Sequence, residues 1–197
     1  MKKRLLITGF DPFGGEKINP AWEAVSRLPD EIGAYALTRL QVPTVFGAAG
    51  RAVLAKAGAL APDVILCAGQ AGGRAKITPE LVAINLRHAS APDNAGALPQ
   101  DTPIVPQGPD AYFSTLPVRD LARAIEAAGI PAAVSYSAGA FVCNDLFYTL
   151  LHRYRQTETR VGFIHVPFLP GQAGAGVPSL PLPQITQGLT AAIEALS

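Results

Sequence analysis

The sequence predicts an α/β protein, a three-layer α/β/α sandwich around a mainly parallel, twisted sheet. Apolar segments of strand length alternate along the chain with longer segments of helix length. Several of the strand segments, such as "DVILCAG" at 63–69, are apolar throughout, which is typical of strands covered on both faces. The chain has 197 residues, 49% of them apolar, so we expect a single domain over residues 1–197.

The predicted strands and helices follow from hydrophobic pattern and from start and stop residues. Gly9 ends the first strand, and Asn19 followed by Pro20 is typical of a helix N-cap and first helical residue. The predicted strands are 3–8, 35–43, 63–69, 77–86, 131–137 and 160–168. The predicted helices are 21–28, 45–60, 117–129, 141–152 and 184–196.

Residues 87–116 form a segment rich in Pro, Asp, Asn and Gly between the fourth predicted strand and the third predicted helix. Thirty residues are too many for an ordinary connection, so we expect this segment to cover part of the molecule. In parallel sheets the working loops lie beyond the carboxyl ends of the strands. The residues that follow each strand are therefore the first candidates for a site.

Charge and composition exclude several function classes. The net charge is +1, and "MKKR" is the only basic run, so we expect no nucleic-acid partner and no membrane-surface partner. The apolar run "LLI" is too short for a signal peptide, and no stretch has the roughly 18 apolar residues of a membrane span. We therefore expect a cytoplasmic protein with free thiols. Cysteine and histidine spacing predicts no metal site, and the glycine-rich "CAGQAGGRAKI" lacks the phosphate-binding patterns, so no cofactor is expected.

Cys143 lies in "SAGAFVCNDLFYTLLH", where a turn of small residues gives way to a predicted helix. Unpaired amides and the helix dipole at this position favour a thiolate, the nucleophilic form of cysteine, which would also be sensitive to peroxide. The alternative is that Cys143 is simply a packed residue, because free cysteine is often buried. Cys67, inside an apolar strand, is interpreted as a core residue.

A cysteine nucleophile needs a base, and the chain has three histidines. His152 lies nine residues along the same predicted helix, roughly 13 Å from Cys143, which is too far. His88 begins the long loop. His165 lies at the carboxyl end of an apolar strand, on the side where the Cys143 helix begins, so it is the preferred partner. A structural, hydrogen-bonded histidine is the alternative.

Glu80 begins an apolar run and is predicted to share one strand face with Val82, Ile84 and Leu86. Because an unpaired buried carboxylate is costly, Glu80 must have a partner. That partner could be His165, whose imidazole an acceptor would orient, or one of the arginines in a structural ion pair, Arg74 or Arg87.

Two further stretches indicate ligand binding. Phe10 and Phe13, in "GFDPFGG", are predicted to lie in a loop after the first strand, where they would suit a flat apolar ligand. They could instead pack beneath the long 87–116 loop. The glycines after the third strand would let the backbone and the Gln70 side chain approach a polar ligand closely.

Four stretches of the sequence closely resemble the pyrrolidone-carboxylate peptidase (pyroglutamyl-peptidase I) family, in the family's order and over nearly the whole chain: "GFDPFGGEKINPAWEAV", "CAGQAGGRAKITPELVAINL", "SAGAFVCNDLFYTLLH" and "GFIHVPFLP". The resemblance implies a cytoplasmic cysteine peptidase, a thiol protease that hydrolyses pyroglutamyl peptides, with an α/β/α sandwich, no metal and commonly a homotetramer. It also implies a triad and five substrate-site positions: Glu80, Cys143 and His165, with Phe10, Phe13, Asn19, Gln70 and Phe141.

One position departs from the family pattern. Ser90 stands where the family usually has an arginine that is thought to assist near the oxyanion, and Arg87 or His88 could compensate for it. The departure favours an alternative hypothesis, a weakly active or inactive homologue that binds pyroglutamyl or other lactam ligands. A nucleoside-phosphorylase-like enzyme is a third hypothesis, disfavoured by the missing phosphate-binding pattern.

Overall fold

The fold is built on eight strands and five helices within residues 2–196, the part of the chain that this computed structural model describes. In chain order the strands are β1 (Lys3–Phe10), β2 (Glu31–Ile32), β3 (Tyr35–Val42), β4 (Val64–Gln70), β5 (Thr78–Pro79), β6 (Val82–Ile84), β7 (Ala111–Phe113) and β8 (Arg160–Val166). The helices are α1 (Pro20–Ser26), α2 (Ala48–Leu60), α3 (Val118–Ala127), α4 (Val142–Tyr154) and α5 (Leu182–Glu194).

Six strands form one sheet in the order β2-β3-β1-β4-β8-β5. The four central strands, β3, β1, β4 and β8, are parallel to one another. At the two edges β2 pairs antiparallel with β3, and β5 pairs antiparallel with β8. Strands β6 and β7 form a separate antiparallel pair. The carboxyl ends of β1, β4 and β8 consequently meet at one edge of the sheet.

Helices cover both faces of the sheet. Helices α1, α3 and α5 pack on one face through residues such as Val25, Ile125 and Leu189. Helices α2 and α4 pack on the other through residues such as Val53 and Leu146. The three-layer α/β/α class predicted from the sequence is confirmed. None of the helices within residues 2–196 has the length and hydrophobicity of a membrane-spanning segment.

The alternation of side chains along β8 decides which layer each residue joins. Ile164 and Val166 face the layer of α1, α3 and α5, whereas Val161 and Phe163 face α2 and α4. His165 continues the second series, so its side chain projects toward the layer that contains α4. This parity places His165 and the N-terminus of α4 on the same face of the sheet.

The prediction of one strand over 77–86 is wrong. The chain pairs with β8 only as far as Pro79, and after Leu81 it enters the separate β6–β7 pair. Beyond Pro79 one further hydrogen bond reaches β8, from the Glu80 N–H to Phe163 O, and Pro79, which has no N–H, interrupts the pairing on its other side with residues 131–135. Glu80 therefore does not share a face with the β6 residues; it is fully buried, whereas Val82 and Ile84 are only partly buried.

Two other expectations are corrected. Residues 131–137 do not form a strand, and they make only isolated bridges at Ala132 and Ser135, since their neighbouring segment contains Pro79. The long loop contains β7, which its polar composition concealed. Its remaining residues lie across the ends of other elements: Asn94 N–H donates to Thr44 O and His88 N–H to Ala140 O.

Candidate active site

Cys143 is the second residue of α4, and Phe141 occupies the N-cap position without a side-chain cap. The turn before the helix depends on Gly139, whose φ of 77° is readily adopted only by glycine. The first backbone N–H groups of a helix have no partner within the helix. The N–H groups of Val142 and Cys143 are in this position, so they are available to an oxygen placed beside the Cys143 thiol.

Gly69 brings the thiol of Cys143 over the sheet next to His165. A Cβ atom added at Gly69 would lie only 2.9 Å from Cys143 Sγ. The sulfur therefore packs directly against Gly69, where any larger residue would clash with it. Gly69 on β4 is paired with His165 on β8. Paired residues of neighbouring strands project from the same face and lie about 5 Å apart, so the thiol and the imidazole are neighbours.

The ionisation of Cys143 depends on burial as well as on the helix N-terminus. Burial raises the pKa of the Cys143 thiol to about 12, and the nearby Glu80 charge also raises it. Burial therefore acts against the thiolate that the helix N-terminus favours, and the expected thiolate and its sensitivity to peroxide stay predictions. Cys143 needs a base to become nucleophilic at neutral pH.

The carboxylate of Glu80 is hydrogen-bonded to His165. Glu80 Oε1 lies 2.7 Å from His165 Nδ1 and also accepts a hydrogen bond of 2.6 Å from the Arg74 guanidinium. The sequence left three partners open for Glu80, and two of them, His165 and Arg74, are bound at once. The third, Arg87, pairs instead with buried Asp145.

Opposing influences set the ionisation of Glu80. Burial alone would raise its pKa, but the hydrogen bond and charge of His165, followed by the interactions with Ser135 and then Arg74, outweigh burial. The pKa of Glu80 is therefore lowered from the ordinary 4.5. Glu80 is ionised at neutral pH, and its hydrogen bond to Nδ1 makes that nitrogen the protonated one, which leaves Nε2 as the nitrogen that can accept a proton.

This ionisation predicts how acid affects stability. Because the folded-state pKa of Glu80 is lowered, its contribution to stability is full above pH 4.5 and is lost as the pH falls through the folded-state value. We expect the thermal midpoint of the wild type to fall more steeply below pH 4.5 than that of Glu80→Gln. Exposed Glu158→Gln is the control and should keep the wild-type slope. Parallel slopes for wild type and Glu80→Gln would contradict the prediction.

A cavity of about 220 Å³ opens beside Cys143. Aromatic rings form much of its wall, and polar groups line the rest: Phe10, Phe13, Phe141, Asn19, Thr44, Gln70 and Gly72. The ring centroids of Phe13 and Phe141 are 5.1 Å apart. All five substrate-site positions expected from the resemblance thus line one cavity with Cys143.

Two of the lining residues differ in detail from the sequence prediction. Phe10 is the last residue of β1 rather than part of a loop, and it is 2% exposed because it packs on Phe163 in the core. Asn19 has both roles considered for it. Its Oδ1 accepts the Ala21 N–H as a helix cap, and its Nδ2 donates to Asp11 O, which fixes the first loop.

The region of Ser90 lies on the far side of the aromatic wall. Ser90 is exposed and lines a second cavity of about 260 Å³, which shares Phe13 and Phe141 with the first. Both residues suggested to compensate for Ser90 already have carboxylate partners. Arg87 donates a hydrogen bond to Asp145, and His88 Nδ1 lies 3.0 Å from Asp101 Oδ1. No arginine takes the place of the family arginine among the residues lining these two cavities.

Sequence reasoning missed three features of the site. Arg74 was considered only as a competitor of His165 for Glu80, although it binds the same oxygen. Thr44 lines the cavity, and its backbone N–H donates to Asp11 Oδ1. Gly69, predicted only as the last residue of a strand, makes room for the thiol. A Gly residue at the end of an apolar strand was the available signal.

The chain matches characterised sequences over nearly its full length. A family model described as "Pyroglutamyl peptidase" matches residues 3–197. The pyrrolidone-carboxylate peptidase of Levilactobacillus brevis is 53% identical over 198 residues, covering 98% of this chain and 97% of that protein. The match confirms the resemblance found from the four sequence blocks.

Solved structures agree. The crystal structure of pyroglutamyl peptidase I from Bacillus amyloliquefaciens is 47% identical, with a TM-score of 0.95 and coverage of 99% of this chain and 97% of that one. A mutant pyrrolidone carboxyl peptidase from the hyperthermophile Pyrococcus furiosus is 38% identical, with a TM-score of 0.93 and coverage of 98% and 97%. This chain therefore belongs to the pyroglutamyl peptidase family of cysteine exopeptidases.

Proposed function

We propose that this protein removes an N-terminal pyroglutamyl residue from peptides, with Cys143 as nucleophile, His165 as general base and acid, and Glu80 as the residue that orients His165. One observation carries the proposal: Cys143 lines the aromatic cavity, and its thiol lies over Gly69, the strand partner of His165, which is bonded to Glu80. Separately, each of these residues has an ordinary structural explanation. Together they form the arrangement that activated nucleophiles require.

In the first step His165 Nε2 takes the thiol proton while the sulfur bonds to the carbonyl carbon between pyroglutamate and the next residue. The C–N bond then breaks, and His165 returns the proton to the leaving amine. The intermediate is a thioester on Cys143, and water, deprotonated by His165, hydrolyses it to free pyroglutamate and the thiol. Glu80 stabilises the imidazolium that forms in each half of the reaction.

The oxyanion of each tetrahedral intermediate would be bound by the backbone N–H of Cys143 at the start of α4. A single donor of this kind is worth about 2.7 to 4 kcal/mol in the transition state. The high pKa of the free thiol fits a mechanism in which proton transfer to His165 accompanies attack. The rate of acylation then depends on His165 as well as on Cys143.

The cavity suits the pyroglutamyl ring. Pyroglutamate is a flat lactam without the positive α-amino group of an ordinary N-terminus, so it needs aromatic walls and no carboxylate. The lining residues provide Phe10, Phe13 and Phe141 and no acidic side chain. Gln70 and its neighbouring backbone would bond the lactam N–H and C=O, which can reject analogues without these groups by roughly 10⁴-fold.

We also propose that the enzyme works as a homotetramer in the cytoplasm. Phe113 is 69% exposed and Tyr136 62% exposed, and large apolar side chains left exposed in one copy favour burial against another. Cys67 and Cys143 are both free. A reducing compartment would preserve the Cys143 thiol for catalysis.

The proposal is tested by measuring release of a fluorogenic amine from a pyroglutamyl amide, with an alanyl amide as control. We expect turnover of the pyroglutamyl substrate alone. If the folded, reduced protein binds pyroglutamate without turning over the amide, the weakly active or inactive homologue is the better description. Ser90→Arg would then show whether the missing arginine is the cause.

Gly69 offers a test of the geometry that does not alter a reacting group. In Gly69→Ala the new Cβ would meet both Cys143 Sγ and Phe163 Cζ at 2.9 Å, so the thiol must move. Because a displacement near 1 Å can cost about 10²-fold in rate, we expect kcat to fall by about that factor. Gly58→Ala is the matched control.

Gly58 lies on an exposed turn of α2, where an added Cβ meets nothing within 4 Å. We expect Gly58→Ala to keep wild-type kcat and to raise the thermal midpoint slightly, as alanine is the better helix former. Full activity in Gly69→Ala would contradict the placement of the thiol over this glycine.

A further inference from the structure

Arg74 joins three parts of the site through one guanidinium group. One terminal nitrogen donates to Glu80 Oε1 and to Thr78 Oγ1, each at 2.6 Å, and the other donates to Ser137 O at 3.3 Å. Ser137 belongs to the turn that leads into α4 and Cys143. Arg74 therefore contacts both the buried carboxylate and the segment before the nucleophile.

The pairing of Glu80 is concentrated on one of its two oxygens. Oε1 binds both His165 Nδ1 and Arg74, whereas Oε2 is buried and makes no hydrogen bond to any residue within 2–196. The Glu80 side chain is 0% exposed and that of Arg74 is 31% exposed. A rotation of the carboxylate would place the unpaired oxygen toward His165, so the direction in which Oε1 points depends on both of its partners.

Arg74 is the one permanent charge that contacts Glu80 among the residues described. The titratable groups around Glu80 are His165 on β8, Cys143 on α4 and Arg74 in the loop after β4. The mechanism requires a neutral imidazole when His165 takes the thiol proton, so at that stage Arg74 is the positive charge that remains beside Glu80. Without Arg74, an ionised carboxylate would be buried against neutral partners only, which is strongly unfavourable.

We propose that Arg74 is a positioning residue for the catalytic pair: it holds Glu80 ionised with Oε1 aimed at His165, and it thereby sets the acid limit of the enzyme's pH range. This inference rests on the proposed peptidase function. Arg74 does not touch the reacting atoms in the mechanism above. Its effect reaches them through Glu80 and then through the tautomer of His165.

The sign of the effect follows from the charges. Removing Arg74 takes away a favourable partner of the ionised form, so the pKa of Glu80 rises. The proton that inactivates the free enzyme enters the hydrogen-bonded Glu80–His165 pair, and without the nearby positive charge the pair takes up that proton at higher pH. The acid limb of the kcat/KM profile should therefore move to higher pH in Arg74→Gln than in the wild type.

The test measures kcat/KM against pH for wild type, Arg74→Gln, Arg74→Lys and Arg87→Gln, with thermal midpoints for all four. Arg87 is the matched control because it also pairs with a fully buried carboxylate at 2.6 Å and has a similarly exposed side chain, 27%. We expect Arg87→Gln to lower the thermal midpoint and leave the acid limb in place. Arg74→Lys keeps the positive charge. Its acid limb should therefore lie close to that of the wild type, with only a small part of the shift seen in Arg74→Gln.

Each outcome decides the proposal. An acid limb that stays in place in Arg74→Gln overturns it, whether kcat falls equally at all pH values, as for a purely structural role, or does not change. An equal shift in Arg87→Gln overturns it as well. If Arg74→Gln does not fold, Arg74→Lys should still show a smaller shift in the same direction.

A second readout is independent of turnover. Titration of the Glu80 carboxyl carbon by ¹³C NMR in wild type and Arg74→Lys should give a higher pKa in the variant, even if the wild type proves inactive on pyroglutamyl amides. Inactive wild type with a raised Glu80 pKa in the variant would reject the peptidase function while leaving the Arg74–Glu80 coupling supported. If the wild type is active and the pKa of Glu80 is the same in wild type and Arg74→Lys, the peptidase function is supported and the Arg74–Glu80 coupling is rejected.

Discussion

Cys143→Ala is expected to lower turnover of a pyroglutamyl amide by at least roughly 10⁴-fold, because Cys143 is the only thiol among the residues that line the cavity. The cavity walls do not depend on the sulfur, so pyroglutamate binding should remain within a few-fold of wild type. The measurements are steady-state kinetics with the fluorogenic amide and calorimetric titration with pyroglutamate.

Cys67→Ala is the matched control for Cys143→Ala. Cys67 lies on β4, two residues before Gly69 and on the same face of the sheet, but it is fully buried in the core. Burial raises its pKa to about 12, so it is a thiol at neutral pH. We expect Cys67→Ala to remain active, with some loss of thermal stability. Substantial turnover by Cys143→Ala would show that the chemistry does not need this thiol.

His165→Ala is expected to lower turnover by roughly 10²- to 10⁴-fold, the usual contribution of a positioned general base. It should also slow alkylation of Cys143 by iodoacetamide at neutral pH by about 10²-fold, because burial raises the pKa of the thiol and no imidazole would then take its proton. In the variant, alkylation should accelerate as the pH rises. The alkylation rate tests the base without any assumption about the substrate.

His152→Ala serves as the control for the loss of an imidazole. His152 lies on the same helix as Cys143, with Nδ1 2.9 Å from the Tyr112 hydroxyl oxygen. Nine residues of helix put it roughly 13 Å from Cys143, so its loss should leave both rates near wild type. Equal alkylation rates in His165→Ala and wild type would contradict the assignment of His165 as the base.

Much of the fold could be predicted because its strongest elements are local. The apolar stretches of β1, β4 and β8 and the N-cap at Asn19 each identify an element without reference to the rest of the chain. The boundaries around Glu80 could not be predicted this way. They depend on Pro79 interrupting a ladder whose other strands come from distant parts of the sequence.

The site was predictable in its residue types but not in its pairings. His165 could be chosen over His152 from spacing and strand position alone. The partner of Glu80 could not be decided among Arg74, Arg87 and His165, because the answer is two of them on one oxygen. The burial that raises the pKa of Cys143 was also beyond the sequence, in which only the predicted helix N-terminus was visible.

Trapping the acyl-enzyme tests the role of Cys143 most directly. Wild-type protein would be mixed with a pyroglutamyl amide, quenched in acid within the first turnover and mapped by mass spectrometry. We predict a pyroglutamyl thioester on the peptide that contains Cys143, absent from the peptide that contains Cys67 and lost on incubation at neutral pH. Release of amine with no acyl group on Cys143, or with one on another residue, would contradict the proposed mechanism.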